Sequence, residues 1–169
     1  MLINILSTIL TGTMIIGTAF TPIYANQAMR TTQFVQANEA EAQCLALNVY
    51  YEARSSNLAD KAGVADVVLN RVADRRYPDT ICDVVQDGYK SGRKDCQFSW
   101  YCDGKPDVPV DLDRWFEAQT VAYNMIEFKE YRGISEGATH YHATYVNPFW
   151  ASSLRMVGRI GEHIYYRWE

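Results

Sequence analysis

Apolar residues change their spacing along the 169-residue chain, and this change constrains its fold more than any other feature. Through most of the sequence they recur three and four residues apart, which is the period of an amphipathic helix. This spacing predicts helices over residues 40–54, 58–73, 80–85 and 111–128. Near the end, residues 138–146 alternate, and residues 155–168 form two extended runs around Gly161–Glu162, which predicts a hairpin or small sheet. We therefore predict an α+β protein that is mainly helical, with its β part at the C-terminus.

The last long helix carries a stripe of apolar residues that we expect to face the core. Its members are Leu112, Trp115, Phe116, Ala122, Tyr123 and Ile126. Residues 86–109, which precede this helix, are rich in Gly, Asp and Pro and are predicted to form a loop.

The first 25 residues contain no charged side chain and many Leu and Ile residues. Such a run is typical of a secretory signal peptide, and Ala25 could precede its cleavage point. A weak membrane anchor that stays attached, and so contacts the membrane, is the second interpretation, and a buried core helix is the third. With either of the first two, residues 26–40 are a linker and residues 41–169 form an exported domain. We then expect the domain in the periplasm, in the cell envelope or outside the cell.

The four cysteines fit an exported protein, because an even number of cysteines suggests disulfides. Cys96 and Cys102 flank a tight loop, so we pair them, which leaves Cys44 to pair with Cys82. A four-cysteine zinc site is the competing interpretation. It would need close C-x-x-C pairs, which this sequence lacks.

The charge of the chain limits the kinds of partner that it can bind. A net charge of −4 and a pI of about 5.4 argue against a nucleic-acid partner, which calls for a basic surface. Neutral or mixed-charge ligands remain, and the 12 Tyr, 4 Trp and 6 Phe residues include rings that could stack on sugar faces. We expect a monomer that needs no cofactor.

Glu52 is the first candidate for chemistry, because it lies among apolar residues in the segment CLALNVYYEARSS. On a helical wheel it falls within about 60° of Leu45 and Val49, so the face that buries those residues also carries Glu52. Burial raises the pKa of a carboxyl group and keeps it protonated, as a general acid requires. A structural ion pair with Arg54 or Arg71 is the alternative interpretation.

The segment CQFSWYC, residues 96–102, is a second candidate. If a disulfide joins its ends, the loop presents Gln97, Ser99 and two or three aromatic rings, which suit hydrogen bonding and stacking on a sugar or an amide. A stapled surface loop without a binding role is the alternative.

Three histidines provide a candidate of another class. His140 and His142 alternate on one predicted strand, and His163 lies on the following hairpin. Three histidines could hold a catalytic zinc ion, as in a metal-dependent amidase or peptidase. The sequence has no H-E-x-x-H motif, and histidines two apart on a strand can simply form a polar face.

Five segments, in this order, together resemble the SleB-type cell wall hydrolases, which include spore-cortex-lytic enzymes. They are CLALNVYYEAR, GVADVVLNRV, YPDTICDVV, CQFSWYCDG and ATHYHATYVNPFW with RIGEHIYYR, and they extend from Cys44 to Arg167. The catalytic glutamate of that family lies in a Y-x-E-A-R-type motif, and this position is Glu52 here.

The resemblance implies a lysozyme-like fold and cleavage of peptidoglycan glycan strands between N-acetylmuramic acid and N-acetylglucosamine. It implies a lytic transglycosylase, in which one glutamate acts as acid and then as base and leaves a 1,6-anhydro product. A hydrolase of the usual kind needs two carboxylates. No second one stands out, because we interpret Asp60, Asp66, Asp103 and Glu136 as surface residues. A phage endolysin would also fit the N-terminal segment.

The predicted site follows from these residues. We expect Glu52 to be catalytic and five residues to line the substrate cleft: Gln97, Phe98, Ser99, Tyr141 and His142. Three more are expected to support it: Arg71 by orienting Glu52, Asn70 by holding the neighbouring loop, and His163. A zinc amidase or peptidase and a non-enzymatic wall-binding module remain the alternatives.

Overall fold

The computed structural model of the protein describes residues 22–89 and 95–169. The chain divides into two units, Met1–Phe34 and Val35–Glu169. In the first unit the described residues, 22–34, are helical, and most of the predicted signal or anchor segment lies outside the described residues. Among the helices of the described ranges, none is long and apolar enough to cross a bilayer.

The first helix, α1, spans Pro22–Ala53 and is longer than predicted. The prediction of a linker over residues 26–40 is wrong as secondary structure, because these residues are helical. After Pro22 the helix contains no Pro or Gly, and Pro at the first position of a helix is favourable. Polar residues such as Gln and Glu in this segment are good helix formers, so a polar composition did not mark a linker.

Three further helices follow close to their predicted limits. Helix α2 spans Leu58–Val72, α3 spans Ile81–Val85 and α4 spans Leu112–Glu127. Each begins after a side-chain cap: Asn57, Thr80 and Asp111 accept hydrogen bonds from backbone N–H groups in the first turn. Such caps satisfy donors that the helix itself leaves open.

Helix α4 buries a different face from the predicted one. Its buried residues are Ala118, Val121, Ala122 and Met125. By contrast, Leu112 is 72% exposed and Phe116 is 71% exposed, and Tyr123 is also exposed. The predicted stripe is therefore wrong for these three residues. This helix has two apolar faces. The face with the smaller side chains packs against α2 and is therefore the buried one.

Three antiparallel strands form the C-terminal sheet in the order β1-β3-β2, which confirms the predicted α+β class. Strand β1 spans His140–Ala143, β2 spans Arg155–Ile160 and β3 spans His163–Arg167. Strands β2 and β3 form the hairpin predicted around Gly161–Glu162. Gly161 has a positive φ of 55°, and a Cβ atom there would lie 2.7 Å from Asp60, so the tight turn requires glycine.

Two disulfides join the cysteines in the pairing that their spacing predicts. Cys44–Cys82 connects α1 to α3, and Cys96–Cys102 closes the loop that contains a short 3-10 helix, Ser99–Cys102. The main core lies among the helices, where Leu45, Val49 and Tyr50 of α1 are almost fully buried. These contacts fix the C-terminal part of α1, which carries Glu52.

Candidate active site

Glu52 lies in the last turn of α1 and is half-buried. Leu45 and Val49, which precede it on the same helix face, are fully buried. The helical spacing therefore predicts the environment of this carboxyl group correctly. The apolar residues of the face anchor the helix in the core, and Glu52 follows them at the edge of that core.

A cleft of about 200 Å³ opens beside Glu52. It is built by α1, α2, the disulfide loop and β1, and its lining residues are Glu52, Arg71, Cys96, Gln97, Phe98, Ser99 and Tyr141. Gln97 and Ser99 are exposed, whereas Phe98 is buried beneath them. The cleft thus offers an amide and a hydroxyl group to a ligand next to a carboxyl group.

The carboxyl group of Glu52 has a hydrogen-bond partner within this cleft. The Tyr141 hydroxyl donates to Oε2 of Glu52 over 3.1 Å. Burial raises the pKa of Glu52 above its ordinary value of 4.5, and the hydrogen bond from Tyr141 and the nearby His163 and Arg71 partly offset that rise. Burial also raises the pKa of Tyr141 well above 10.0, so its hydroxyl stays protonated and acts as a donor.

The ion-pair interpretation of Glu52 finds no support in the described residues. Among them, no Lys or Arg nitrogen lies within 4.0 Å of its carboxylate oxygens. The Arg54 guanidinium lies over the Tyr50 ring, 5.7 Å from its centroid. Nε of Arg71 donates to the Thr139 carbonyl over 2.8 Å. Glu52 is therefore a desolvated carboxyl group without a salt bridge in this part of the chain.

The acid–base candidates in the cleft reduce to one carboxyl group. All Asp and Glu residues of the sequence lie within the described ranges, and Glu52 alone among them lines the cleft. Asp60 and Asp66 are fully buried, so their interpretation as surface residues is wrong. Both are held by hydrogen bonds inside the fold and do not open to the cleft.

Asp60 accepts hydrogen bonds from both the turn and the central strand of the sheet. His163 Nδ1 lies 2.7 Å from its Oδ1, and the backbone N–H of Glu162 donates to its Oδ2 over 3.0 Å. The His163 ring in turn packs against Tyr141, with 5.1 Å between ring centroids. This series connects α2 to the tyrosine that contacts Glu52. The sequence indicates the first-turn position of Asp60 but not its partner 103 residues later.

The structure separates the three histidines of the zinc hypothesis. His142 faces Tyr166 and Trp150, and its Nε2 lies 3.0 Å from the Tyr166 hydroxyl. His140 lies beside Trp150 and Trp168. His163 instead packs with Tyr141 on the other face of the sheet, because side chains alternate along strands. One metal ion cannot contact side chains on both faces.

Because side chains alternate along β1, His142 does not face the cleft. Tyr141 points toward Glu52, so its neighbour His142 points away, and the structure does not place His142 among the lining residues as predicted. Burial, together with the nearby Arg71 and Arg76, lowers the pKa of His140 to about 4. His140 is therefore a neutral side chain in an aromatic cluster.

Asn70 and Asp66 hold the segment that leads into β1. Asn70 Nδ2 donates to the Ser135 hydroxyl over 3.0 Å and to the Ala138 carbonyl over 2.9 Å. Asp66 accepts from the backbone N–H of Ser135 over 3.1 Å and pairs with Arg132. Both side chains project from α2, so they fix the position of β1 and of Tyr141.

The disulfide loop has a second attachment that sequence reasoning missed. Trp100 Nε1 donates to Oδ1 of the buried Asn48 over 3.2 Å, and the Trp100 ring stacks on Tyr51 with centroids 4.7 Å apart. Asn48 lies three residues after Leu45 on the buried side of α1. A polar residue at that spacing is the signal that could have indicated this contact.

A larger cavity of about 450 Å³ lies between α2 and α4, away from Glu52. Its walls include Leu58, Phe116 and Val121, and its one carboxylate, Glu117, pairs with Lys61 and Arg114. These cations hold the pKa of Glu117 below its ordinary value. The cavity therefore lacks a protonated carboxyl group.

The fold is that of SleB catalytic domains. The chain is similar to the crystal structure of the catalytic domain of the Bacillus cereus SleB protein, with 22% identity, a TM-score of 0.60, and coverage of 76% of this chain and 91% of that one. It is also similar to the catalytic domain of the germination-specific lytic transglycosylase SleB from Bacillus anthracis, with 20% identity, a TM-score of 0.55, and coverage of 75% and 93%. No curated protein matches the chain in sequence.

The family follows from the sequence itself. The profile of the Cell Wall Hydrolase family matches residues 55–166, which is more than half of the chain, and the protein belongs to this family. Membership supports activity on the peptidoglycan of the cell wall. Glu52 lies just before the matched residues, so its role has to be argued from the geometry of the cleft.

Proposed function

We propose that the protein cleaves peptidoglycan glycan strands between N-acetylmuramic acid and N-acetylglucosamine, with Glu52 as the single acid and base. The observation that carries this proposal is the desolvated Glu52 carboxyl group, which has no salt bridge and is the one carboxyl group of the described residues that lines the cleft. A glycosidase of the usual kind needs two carboxyl groups. Attack by the 6-hydroxyl of the muramic residue on its own C1 needs only one, because no water molecule has to be activated. A structural neighbour that bears the name lytic transglycosylase adds support.

The proposed reaction needs no water and no cofactor. Protonated Glu52 gives its proton to the glycosidic oxygen as the bond from that oxygen to C1 of the muramic residue breaks. The muramic 6-hydroxyl then attacks C1, and the Glu52 carboxylate accepts the hydroxyl proton. The products are a 1,6-anhydromuramic end and a free hydroxyl on the leaving strand, and Glu52 returns to its protonated form.

Other side chains of the cleft have separate roles in this proposal. Tyr141 donates to Oε2 of Glu52, so the acidic proton belongs on Oε1, which is left to face the glycosidic oxygen. Gln97 and Ser99 are exposed and can hydrogen-bond to acetamido and hydroxyl groups of the sugars. Phe98 forms the buried base of the cleft and contributes shape rather than hydrogen bonds.

Analysis of the products by mass spectrometry tests the reaction class. Digests of purified peptidoglycan should contain muropeptides with 1,6-anhydromuramic ends. Reducing muramic ends would indicate a hydrolase, and free peptides would indicate an amidase. Binding to cell walls without soluble products would indicate a wall-binding module. Treatment with a chelator should leave the activity unchanged, since the proposed reaction uses no metal.

The disulfides and the family are consistent with an exported protein. We propose that residues 1–25 direct this export, as a cleaved signal peptide or a weak membrane anchor. Expression with this segment, followed by N-terminal sequencing of the protein from the membrane and soluble fractions, tests both forms. A mature protein that starts after Ala25 in the soluble fraction indicates cleavage.

A further inference from the structure

Arg71 is a buried cation beside the catalytic candidate. It projects from α2, is only 5% exposed and lines the same cleft as Glu52. Its Nε donates to the Thr139 carbonyl, and its guanidinium carbon lies 5.4 Å from the Tyr77 ring centroid and 5.2 Å from that of Phe98. These contacts hold the guanidinium in one position, but none of them neutralises its charge.

One nitrogen of this guanidinium has no hydrogen-bond partner in the described part of the chain. Nη1 of Arg71 is buried from solvent and makes no hydrogen bond to any described residue. No carboxylate oxygen of the described residues lies within 4.0 Å of the guanidinium, and all Asp and Glu residues are among them. A buried charge with an open donor is costly, which suggests that it is used in another state of the protein.

The groups that face Arg71 show which state that is. Burial lowers the pKa of Arg71, and Tyr141, Tyr77, Glu52 and Asp87 oppose this electrostatically. His140 also interacts with the charge of Arg71. Among these, Glu52 is the group whose charge changes during the proposed reaction. The buried Nη1 cannot touch a sugar in the cleft, because solvent does not reach it. Any partner of this nitrogen is therefore internal.

We propose that Arg71 is a positioning residue that serves as the fixed counter-charge of the Glu52 carboxylate, the form present between proton donation and proton recovery. This inference rests on the proposed role of Glu52. In the protonated form Glu52 needs no counter-charge, and Arg71 remains unpaired. After Glu52 gives up its proton, the positive guanidinium stabilises the carboxylate, and the burial of Arg71 strengthens this effect. The charge is already in place, so no rearrangement is needed at that step.

The direct test is the titration of Glu52 without any substrate. Carbon-13 NMR of protein labelled at its Glu carboxyl carbons gives the pKa of each, and the Glu52 signal is identified by its loss in Glu52→Gln. Tyr141 and His163 also face this carboxyl group and are left unchanged. In Arg71→Met the pKa of Glu52 should rise by about 1 unit or more, because a nearby opposite charge lowers a carboxyl pKa by that amount.

Two variants serve as controls. Arg71→Lys keeps a positive charge at this position and should keep the pKa of Glu52 close to that of the wild type, and this comparison stands even if Arg71→Met does not fold. Arg155→Gln removes an exposed arginine that pairs with Glu169 outside the cleft, and it should change neither the pKa of Glu52 nor the activity.

The kinetics separate this role from substrate binding. Arg71→Met should lower kcat with little change in KM and should move the basic limb of the kcat/KM profile to higher pH. A raised KM with unchanged kcat would instead make Arg71 a substrate-binding residue and overturn the proposal. An unchanged Glu52 pKa in folded Arg71→Met, or a shift as large in Arg71→Lys, would overturn it as well. The titration is informative even if Glu52 proves not to be the acid.

Discussion

The Tyr141 hydroxyl contacts Oε2 of Glu52 over 3.1 Å and thereby joins the sheet to the last turn of α1. The two residues are 89 positions apart in the sequence. The hydrogen bond orients the carboxyl group and offsets part of the rise in its pKa that burial causes. Several measurable properties of the protein depend on this contact.

Tyr141→Phe removes the hydroxyl group and keeps the ring. We expect the pKa of Glu52 to rise and the basic limb of the pH–activity profile to move to higher pH, because the lost donor had favoured the carboxylate. We also expect kcat to fall about tenfold, since a hydrogen bond to a charged group contributes about 1.5 kcal/mol. Tyr145→Phe changes a residue that is 87% exposed and should leave both unchanged. Equal effects of the two variants would contradict the prediction.

Glu52→Gln should alter how stability depends on pH. The pKa of Glu52 is raised in the folded protein, so the stability linked to this group is fully present below its ordinary value of 4.5 and is lost as pH rises through the folded pKa. Urea unfolding should therefore show Glu52→Gln gaining stability relative to the wild type as the pH rises above the ordinary value of 4.5 and through the folded pKa. Parallel stability curves across this range would show that the carboxyl group is not desolvated.

Asp60 should have the opposite dependence on pH. Burial alone would raise its pKa, but hydrogen bonds from His163 and the Glu162 N–H outweigh this and lower the pKa below 3.8. Its contribution to stability is present above that value and is lost as pH falls through the folded pKa. Asp60→Ala should cost about 3 kcal/mol in the free energy of unfolding at pH 7. Asp79→Ala changes an exposed residue and should change the free energy of unfolding little. A similar loss of stability in both variants would show that the buried hydrogen bonds of Asp60 do not stabilise the fold.

The two disulfides should differ in what their removal does. Cys44–Cys82 spans 38 residues and Cys96–Cys102 spans 6, so loop entropy predicts losses of about 4 and about 2 kcal/mol respectively. Removing the second bond should lower activity more, because Gln97 and Ser99 lie in its loop beside Glu52. Chemical unfolding and activity of the paired Cys→Ser variants test this. A larger loss of activity on removal of Cys44–Cys82 than on removal of Cys96–Cys102 would mean that the disulfide loop does not position the cleft residues.

Local patterns were sufficient for the helices, the hairpin and the buried face that leads to Glu52, since period and turn residues are local signals. These patterns did not predict that Phe116 is exposed. Helix α4 has two apolar faces, and the sequence does not indicate which of them packs against the core. Likewise, His142 was expected beside Tyr141, but alternation on β1 sends the two side chains to opposite faces.

Long-range polar contacts were the least predictable part of the site. Asp60 and Asp66 were predicted to be surface residues. Nothing near them in the sequence indicates that Asp60 forms a hydrogen bond with His163, or Asp66 with Ser135. The same holds for the Nη1 atom of Arg71, whose lack of a hydrogen-bond partner among residues 22–89 and 95–169 is visible only in three dimensions.

Activity of Glu52→Gln on purified peptidoglycan tests the central claim most directly. Solubilisation of labelled cell walls and the yield of anhydro-muropeptides should both fall to background, while circular dichroism and the melting temperature show a folded protein at least as stable as the wild type at pH 7. Clearing of the walls by folded Glu52→Gln at the wild-type rate would contradict the account.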